Sequence, residues 1–144
     1  MKSRMLTRWL IILTCFISAV TVLCCTAAIK PPKMTDEEVL RRRVEEYWSY
    51  KIKGQWDKAY VYESPDYQRR VALVAYVMRN GRSIVKWEGF NIVEALTSGE
   101  EGYAKVDRKY RYLIPESKRA AFNRVVEEKW VKKDGEWYRL SSPM

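Results

Sequence analysis

A chain of 144 residues that is 47% hydrophobic, 31% charged and 13% aromatic has apolar material for one folded domain and is too apolar to stay disordered. It contains no histidine, and its three cysteines (Cys15, Cys24 and Cys25) all lie in an apolar N-terminal run. The remainder therefore has no disulfide, no Ser-His-Asp or Cys-His catalysis and no His- or Cys-held metal. The formal net charge of +9 is spread through stretches such as "RRRVEE" and "VEEKWVKKDGE", where acids and bases alternate, instead of forming the basic stripe of a nucleic-acid binder; no nucleic acid, cofactor or metal is expected as a partner.

The N-terminal "MKSRMLTR" is basic, and Trp9 to Ile29 then runs uncharged as far as Lys30. That length just reaches the roughly 20 apolar residues a membrane span needs. The same stretch has the basic start, apolar middle and small-residue end of a secretory signal. Val22-Leu23-Cys24-Cys25 resembles the end of a bacterial lipoprotein signal peptide, which implies lipid attachment at Cys25; it departs from that pattern at Cys24, where Gly, Ala or Ser is usual. An uncleaved span and cleavage near Ala27 or Ala28 are the alternatives. In all three the rest of the chain is extracytoplasmic and periplasm-facing, because the basic residues before the run hold the N-terminus inside. The division expected is a signal peptide or anchor at 1–29, a Pro-containing tether at 30–34 and a domain at 35–144.

That domain opens with "TDEEVLRRRVEEYWSYKIKG". Thr35 and Glu38 stand in capping-box spacing, three acids sit at the positive end of the helix dipole, and Gly54 follows Lys51 and Lys53, so a helix is predicted between Thr35 and Gly54. Leu40, Val44, Tyr47, Trp48 and Ile52 form its buried stripe. Glu37/Arg41, Glu38/Arg42, Arg41/Glu45 and Arg42/Glu46 pair on the solvent side, which makes Arg41 to Arg43 a solvated face. A short helix in "GQWDKAYVYESPDY" buries Trp56, Ala59 and Tyr60. Ser64 then caps, and Pro65 begins, a third helix that presents Tyr67, Val71, Val74, Ala75 and Met78 on one side and ends near Asn80-Gly81. From Ser83 the hydrophobic period shifts towards two, with turn signals at "TSGEEG", "IPES" and "KKDGEW". Four strands are predicted, at 84–97, 103–114, 120–133 and 136–141, with Asp134-Gly135 suited to a two-residue hairpin turn.

Helices followed by long antiparallel strands imply an α+β fold with N-terminal helices packed on one face of a sheet of about four strands. The order of a helix, "GQWDKAY" at 54–60, "SPDY" at 64–67 and a final "EKWVKKDGEW" hairpin at 128–137 resembles the NTF2-like superfamily. The resemblance covers most of residues 35–141 and implies a curved sheet wrapping the helices into a cone. It also implies a homodimer through the sheet face as one assembly, and it leaves function open, because such folds carry both enzymes and noncatalytic modules.

Superfamily enzymes place a carboxylate, often with Tyr or His, inside the cone, and without His only carboxylate and Tyr chemistry is left. If the first two strands pair about "SGEEG", Phe90, Ile92 and Leu96 share a face with Ala104, Val106, Tyr110, Tyr112 and Ile114, and Glu88, Glu94 and Arg108 fall on that same side. Glu94 then meets Arg108 diagonally and stays ionised. The candidate binding residues are Glu94, Arg108, Tyr110 and Tyr112, of which Glu94, Tyr110 and Tyr112 are also the catalytic candidates. Glu127 and Glu128 point to opposite faces, and Lys105, Asp107, Lys109 and Arg111 form a solvated outer face. The expected function is a membrane-tethered extracytoplasmic binding or assembly module without catalysis. An isomerase- or dehydratase-type enzyme using Glu94 with a tyrosine is one alternative. A basic domain docking on anionic lipid or envelope polymer through Lys105, Lys109 and Arg111 is another.

Overall fold

The computed structural model describes residues 34–114 and 120–141. The apolar run, Cys25, nearly all of the tether and the segment 115–119, including most of the "IPES" turn, lie outside the described residues. Within those residues no helix is long and apolar enough to cross a membrane.

Helix α1 spans Asp36–Ile52 and begins with the capping box its sequence predicts: the Glu38 amide donates to Thr35 Oγ1 at 3.2 Å and the Thr35 amide to Glu38 Oε2 at 2.7 Å. Its buried stripe is Leu40, Val44, Tyr47, Trp48 and Lys51, so Lys51 takes the place in the stripe expected for Ile52, which is only half-buried. The arginine triplet is also not simply a solvated face. Arg41 donates to the Ile92 carbonyl, and Arg43 reaches the Trp137 carbonyl at 3.1 Å, the Glu136 carboxylate at 3.3 Å and the Tyr62 ring at 4.4 Å. These contacts tie α1 to the sheet it lies on.

Three short helices follow: α2 at Trp56–Tyr60, α3 at Pro65–Arg70 and α4 at Leu73–Gly81. In α2 Ala59 is the fully buried residue, while Trp56 and Tyr60 are half-buried; the five-residue helix turns only its central face inward. Ser64 caps α3, as its sequence predicts. The single third helix expected is two, because Val71 adopts an extended conformation and its carbonyl accepts a 2.7 Å hydrogen bond from the Tyr60 hydroxyl. That break re-aims α4, which buries Tyr76 and exposes Leu73, Val74 and Met78.

The strands β1 (Val85–Ser98), β2 (Glu101–Tyr112), β3 (Phe122–Lys133) and β4 (Glu136–Arg139) form one antiparallel meander in the order β1-β2-β3-β4. Asp134 and Gly135 both have positive φ, 51° and 83°, the requirement of the tight primed turn between β3 and β4. The β1–β2 register slips twice, between Trp87 and Gly89 and between Ile92 and Glu94. Such bulges bend and twist a strand, and the fold is α+β, with helices packed on a curled four-stranded antiparallel sheet. Beyond β4 the loop 62–64 continues the layer. Arg139 N donates to Tyr62 O at 2.7 Å, Ser64 N donates to Arg139 O at 2.9 Å, and Glu63 pairs in parallel with Arg139.

The core joins Leu40, Val44, Tyr47 and Trp48 of α1 to Ala104 and Val106 of β2, Trp130 of β3 and Trp137 of β4. At Gly102 a Cβ would come within 2.9 Å of both Leu40 Cδ2 and Trp137 Cζ3, so α1 and β4 close over a backbone without a side chain. Gly102→Ala should therefore lower stability by about 1–3 kcal/mol through overpacking, and Leu40→Ala by about 2–5 kcal/mol through the cavity it leaves. In the double variant the methyl occupies part of that cavity, so the combined loss should fall short of the sum by at least about 0.5 kcal/mol in chemical denaturation. Strict additivity would place the two side chains apart.

Candidate functional site

The parallel pairing of Glu63 with Arg139 sets two opposite charges side by side under α1, and the turn of α1 above them contributes Tyr47 and Lys51. Glu63 is almost fully buried. Its Oε1 accepts from Tyr47 at 3.2 Å, from Tyr76 at 3.3 Å and from Arg139 at 3.4 Å. The Arg139 guanidinium also lies 3.3 Å from Glu128, a second buried carboxylate, whose other oxygen accepts from the Trp48 indole at 3.2 Å. One arginine thus bridges two interior acids. Burial by itself would lower the Arg139 pKa, but Tyr47 and the charges of Glu128 and Glu63 outweigh it and hold the group cationic.

Lys51 differs from Arg139 in lacking an acid at contact distance. Its amine donates to the Tyr47 hydroxyl at 3.2 Å and lies over the rings of Trp48 at 4.5 Å, Tyr47 at 5.0 Å and Trp87 at 5.2 Å. Burial pushes its pKa down and the Arg139 charge adds to this, against the pull of Glu128 and Glu63, so the amine titrates at about 7. Burial raises Tyr47 and Tyr76, with Glu63 adding to both, although Arg139 draws each partly back. Both phenols therefore stay protonated.

These groups line a cavity of about 320 Å³, walled by Tyr47, Lys51, Glu63 and Arg139 and bordered by Tyr67, Tyr76, Arg79, Asn80 and Ser141. Among the described residues Glu63 Oε2 is buried with no hydrogen-bond donor. Such an oxygen carries an uncompensated desolvation cost. The wall offers cationic and phenolic donors beside this acceptor, a combination suited to a small ligand carrying both an anionic group and a hydroxyl or amine.

The residues singled out from the sequence lie elsewhere. The slip at Val93 sets Glu94 opposite Lys105 on the outer face, where the two form a 2.9 Å ion pair, so the expected diagonal to Arg108 does not exist. The same slip turns Ala95 inward and leaves Leu96 exposed. The slip at Glu88 likewise pairs that acid with Arg111. Arg108 remains on the inner face, opposite Phe90, with its guanidinium over Trp87 at 5.2 Å and Trp48 at 5.4 Å. Tyr110 stacks on Phe122 and meets Trp87, and Tyr112 meets Tyr110 and Phe122 edge-on, which makes both part of a half-buried aromatic cluster. On the outer face Lys105 pairs with Glu94 and Arg111 with Glu88. Glu127 and Glu128 do point to opposite faces, exposed and buried respectively.

Sequence reasoning missed Lys51, Glu63, Tyr76 and Arg139. A signal existed for Lys51, which lies four residues after Tyr47 and seven after Val44 on the apolar stripe. None existed for Glu63 and Arg139, which are 76 residues apart and meet only because β4 pairs with the loop before α3.

No protein-family model matches the chain, and no curated protein matches it. Solved structures do share its fold. The solution structure of a SEC-C motif containing protein from Rhodopseudomonas palustris superposes with a TM-score of 0.55 at 11% identity, covering 74% of this chain and 76% of that one. The crystal structure of a SEC-C motif containing protein from Psychrobacter arcticus gives 0.57 at 12% identity, over 76% of this chain and 63% of that one. The chain thus spans less than two thirds of the Psychrobacter protein, and at these identities the likeness is one of fold.

The interior charges set two expectations. Because the folded Lys51 pKa is depressed, the unfolded chain binds the extra proton between about pH 7 and the ordinary lysine value of about 10.4, so stability rises with pH across that window. Above about pH 10 the sign reverses, because the unfolded chain loses phenolic protons that Tyr47 and Tyr76 keep when folded. Denaturation midpoints should climb from pH 7 to about 10 and then turn down. Lys51→Met should abolish the climb and keep the downturn. Separately, Arg139→Met strands two buried carboxylates and should cost about 3–5 kcal/mol at pH 7 in chemical denaturation.

Proposed function

We propose that this chain is a noncatalytic binding module of the NTF2-like type. In this reading its N-terminal segment holds it at a bacterial membrane on the periplasmic side, with Cys25 as the attachment point, and its cavity takes a small polar ligand between Glu63, Lys51 and Arg139. The observation that carries the ligand-binding part is the convergence of Lys51, Arg139 and Glu63, an acid with one buried oxygen that has no donor among the described residues, on a cavity of about 320 Å³. Cavities of this size accommodate small metabolites. The helices on a curled sheet agree with the cone that the "GQWDKAY" and "EKWVKKDGEW" resemblance implies. Membrane attachment draws its support from the apolar run and the Val22-Leu23-Cys24-Cys25 pattern. The noncatalytic part is favoured because the carboxylate proposed for catalysis, Glu94, is on the outer face and ion-paired with Lys105.

Two measurements test this reading. Intact-mass analysis of the membrane fraction should find a chain that begins at Cys25 and carries acyl groups. More than one is needed, because a single chain, at about 0.8 kcal/mol per buried CH₂, binds only reversibly. A soluble, unmodified chain beginning at Ala28 or Ile29 overturns the tether. For the cavity, titration of the full chain in detergent with glycolate, which combines a carboxylate with a hydroxyl, should shift the ring NMR signals of Tyr67 and Tyr76. Glu63→Gln should weaken that binding roughly 10-fold by removing one charged hydrogen-bond acceptor. Signals indifferent to glycolate overturn the ligand reading.

A further inference from the structure

We propose that the Lys51 amine is a nucleophile that captures small carbonyl compounds bearing a carboxylate, condensing with them in the cavity to form an imine. This rests on the cavity being the ligand site, and it names the chemistry that site performs.

A lysine becomes nucleophilic when it is desolvated, has no acid in contact, has a cation nearby and can be reached by the substrate. Lys51 meets each condition. Its amine is buried against the faces of Tyr47, Trp48 and Trp87, and none of the ion pairs among the described residues includes it. The charged and titratable groups that act on it are Tyr47 from the helix itself, Glu63 from the loop after α2, Arg108 from β2, Glu128 from β3 and Arg139 from β4. The two acids are committed to Arg139, so the nearest strong field on the amine is the guanidinium's. Lys51 is among the residues that line both the 320 Å³ cavity and a second cavity of about 250 Å³ bordered by Trp56, Gly81 and Trp87, the two routes by which a substrate would approach it.

The neighbouring groups supply the proton transfers that condensation needs. The neutral amine's lone pair attacks the carbonyl carbon, and a proton moves to the carbonyl oxygen to give a carbinolamine. Tyr47, which bridges Lys51 Nζ and Glu63 Oε1 at 3.2 Å on each side, is placed to pass a proton to the departing hydroxyl. Loss of water and of the second amine proton leaves the carbon–nitrogen double bond, with no oxidant or reductant required. Arg139 and, at the border, Arg79 provide guanidinium groups for the ligand's carboxylate.

Glyoxylate with cyanoborohydride, applied to the full chain in detergent at pH 7, tests the proposal, because reduction converts the imine into a stable carboxymethyl amine. Peptide mapping should place the adduct on Lys51 at least about 10-fold faster than on exposed Lys53, because about half of Lys51 is neutral at that pH whereas ordinary lysines are almost entirely protonated. The Lys51 rate should level off above pH 7 to 8 while exposed lysines keep accelerating. Lys51→Arg should remove this adduct and leave labelling elsewhere unchanged. If glycolate and glyoxylate both shift Tyr67 and Tyr76 and yet Lys51 labels no faster than Lys53, the nucleophile is refuted and the binding reading survives. If neither compound shifts those rings and no adduct forms at Lys51, both are refuted.

Discussion

The interior is organised by one guanidinium. Arg139 lies between the carboxylates of Glu63 and Glu128, each almost wholly removed from solvent, and it joins three separate parts of the chain: the loop after α2, strand β3 and strand β4. Burying two acids without a cation would cost several kcal/mol each, so this packing of Trp48, Tyr47 and Trp130 requires the arginine to be in place. The same requirement explains why β4, only four residues long, is held on both edges, by β3 on one side and by the backbone of residues 62–64 on the other. A short edge strand that positions a buried ion needs that second partner.

Lys51 shows what such an arrangement leaves over. The acids are ion-paired with Arg139, and the next cation along the α1 stripe finds only aromatic faces and one phenol. Its neutral form is therefore about as populated as its charged form near neutrality. Tyr47 links the two systems, donating to Glu63 and accepting from Lys51, which lets a change of charge at the amine be felt at the ion pair. The cavity forms where these groups converge because α3 and α4, broken at Val71, turn Tyr67 and Tyr76 towards the sheet while leaving their own apolar residues outside.

The two slips in β1 decide which side chains belong to the interior. Without them, period-two alternation would put Glu88, Glu94 and Leu96 on the helix-facing side. With them, the acids go out to Arg111 and Lys105, and Trp87 and Ala95 go in. An inner face carrying two unpaired acids beside Trp48 would be costly, and the bulges also supply the bend that lets the sheet curl around α1.

Much of the architecture was legible locally. The Thr35–Glu38 capping box, the α1 stripe, the Ser64-Pro65 start, the Asp134-Gly135 turn and the strand positions to within about two residues all follow from side-chain and backbone preferences that act over a few neighbours. The α+β class follows from their order. Those signals stop where the energetics become non-local. A bulge is chosen by the partner strand and the helix above it, and the break at Val71 by a hydroxyl eleven residues away. The candidate site is the extreme case, because Glu63, Glu128 and Arg139 are each ordinary charged residues in sequence. Only their burial together, when β4 pairs with the loop at 62–64 beneath α1, gives them a shared low-dielectric environment in which one lysine loses its proton and one arginine cannot.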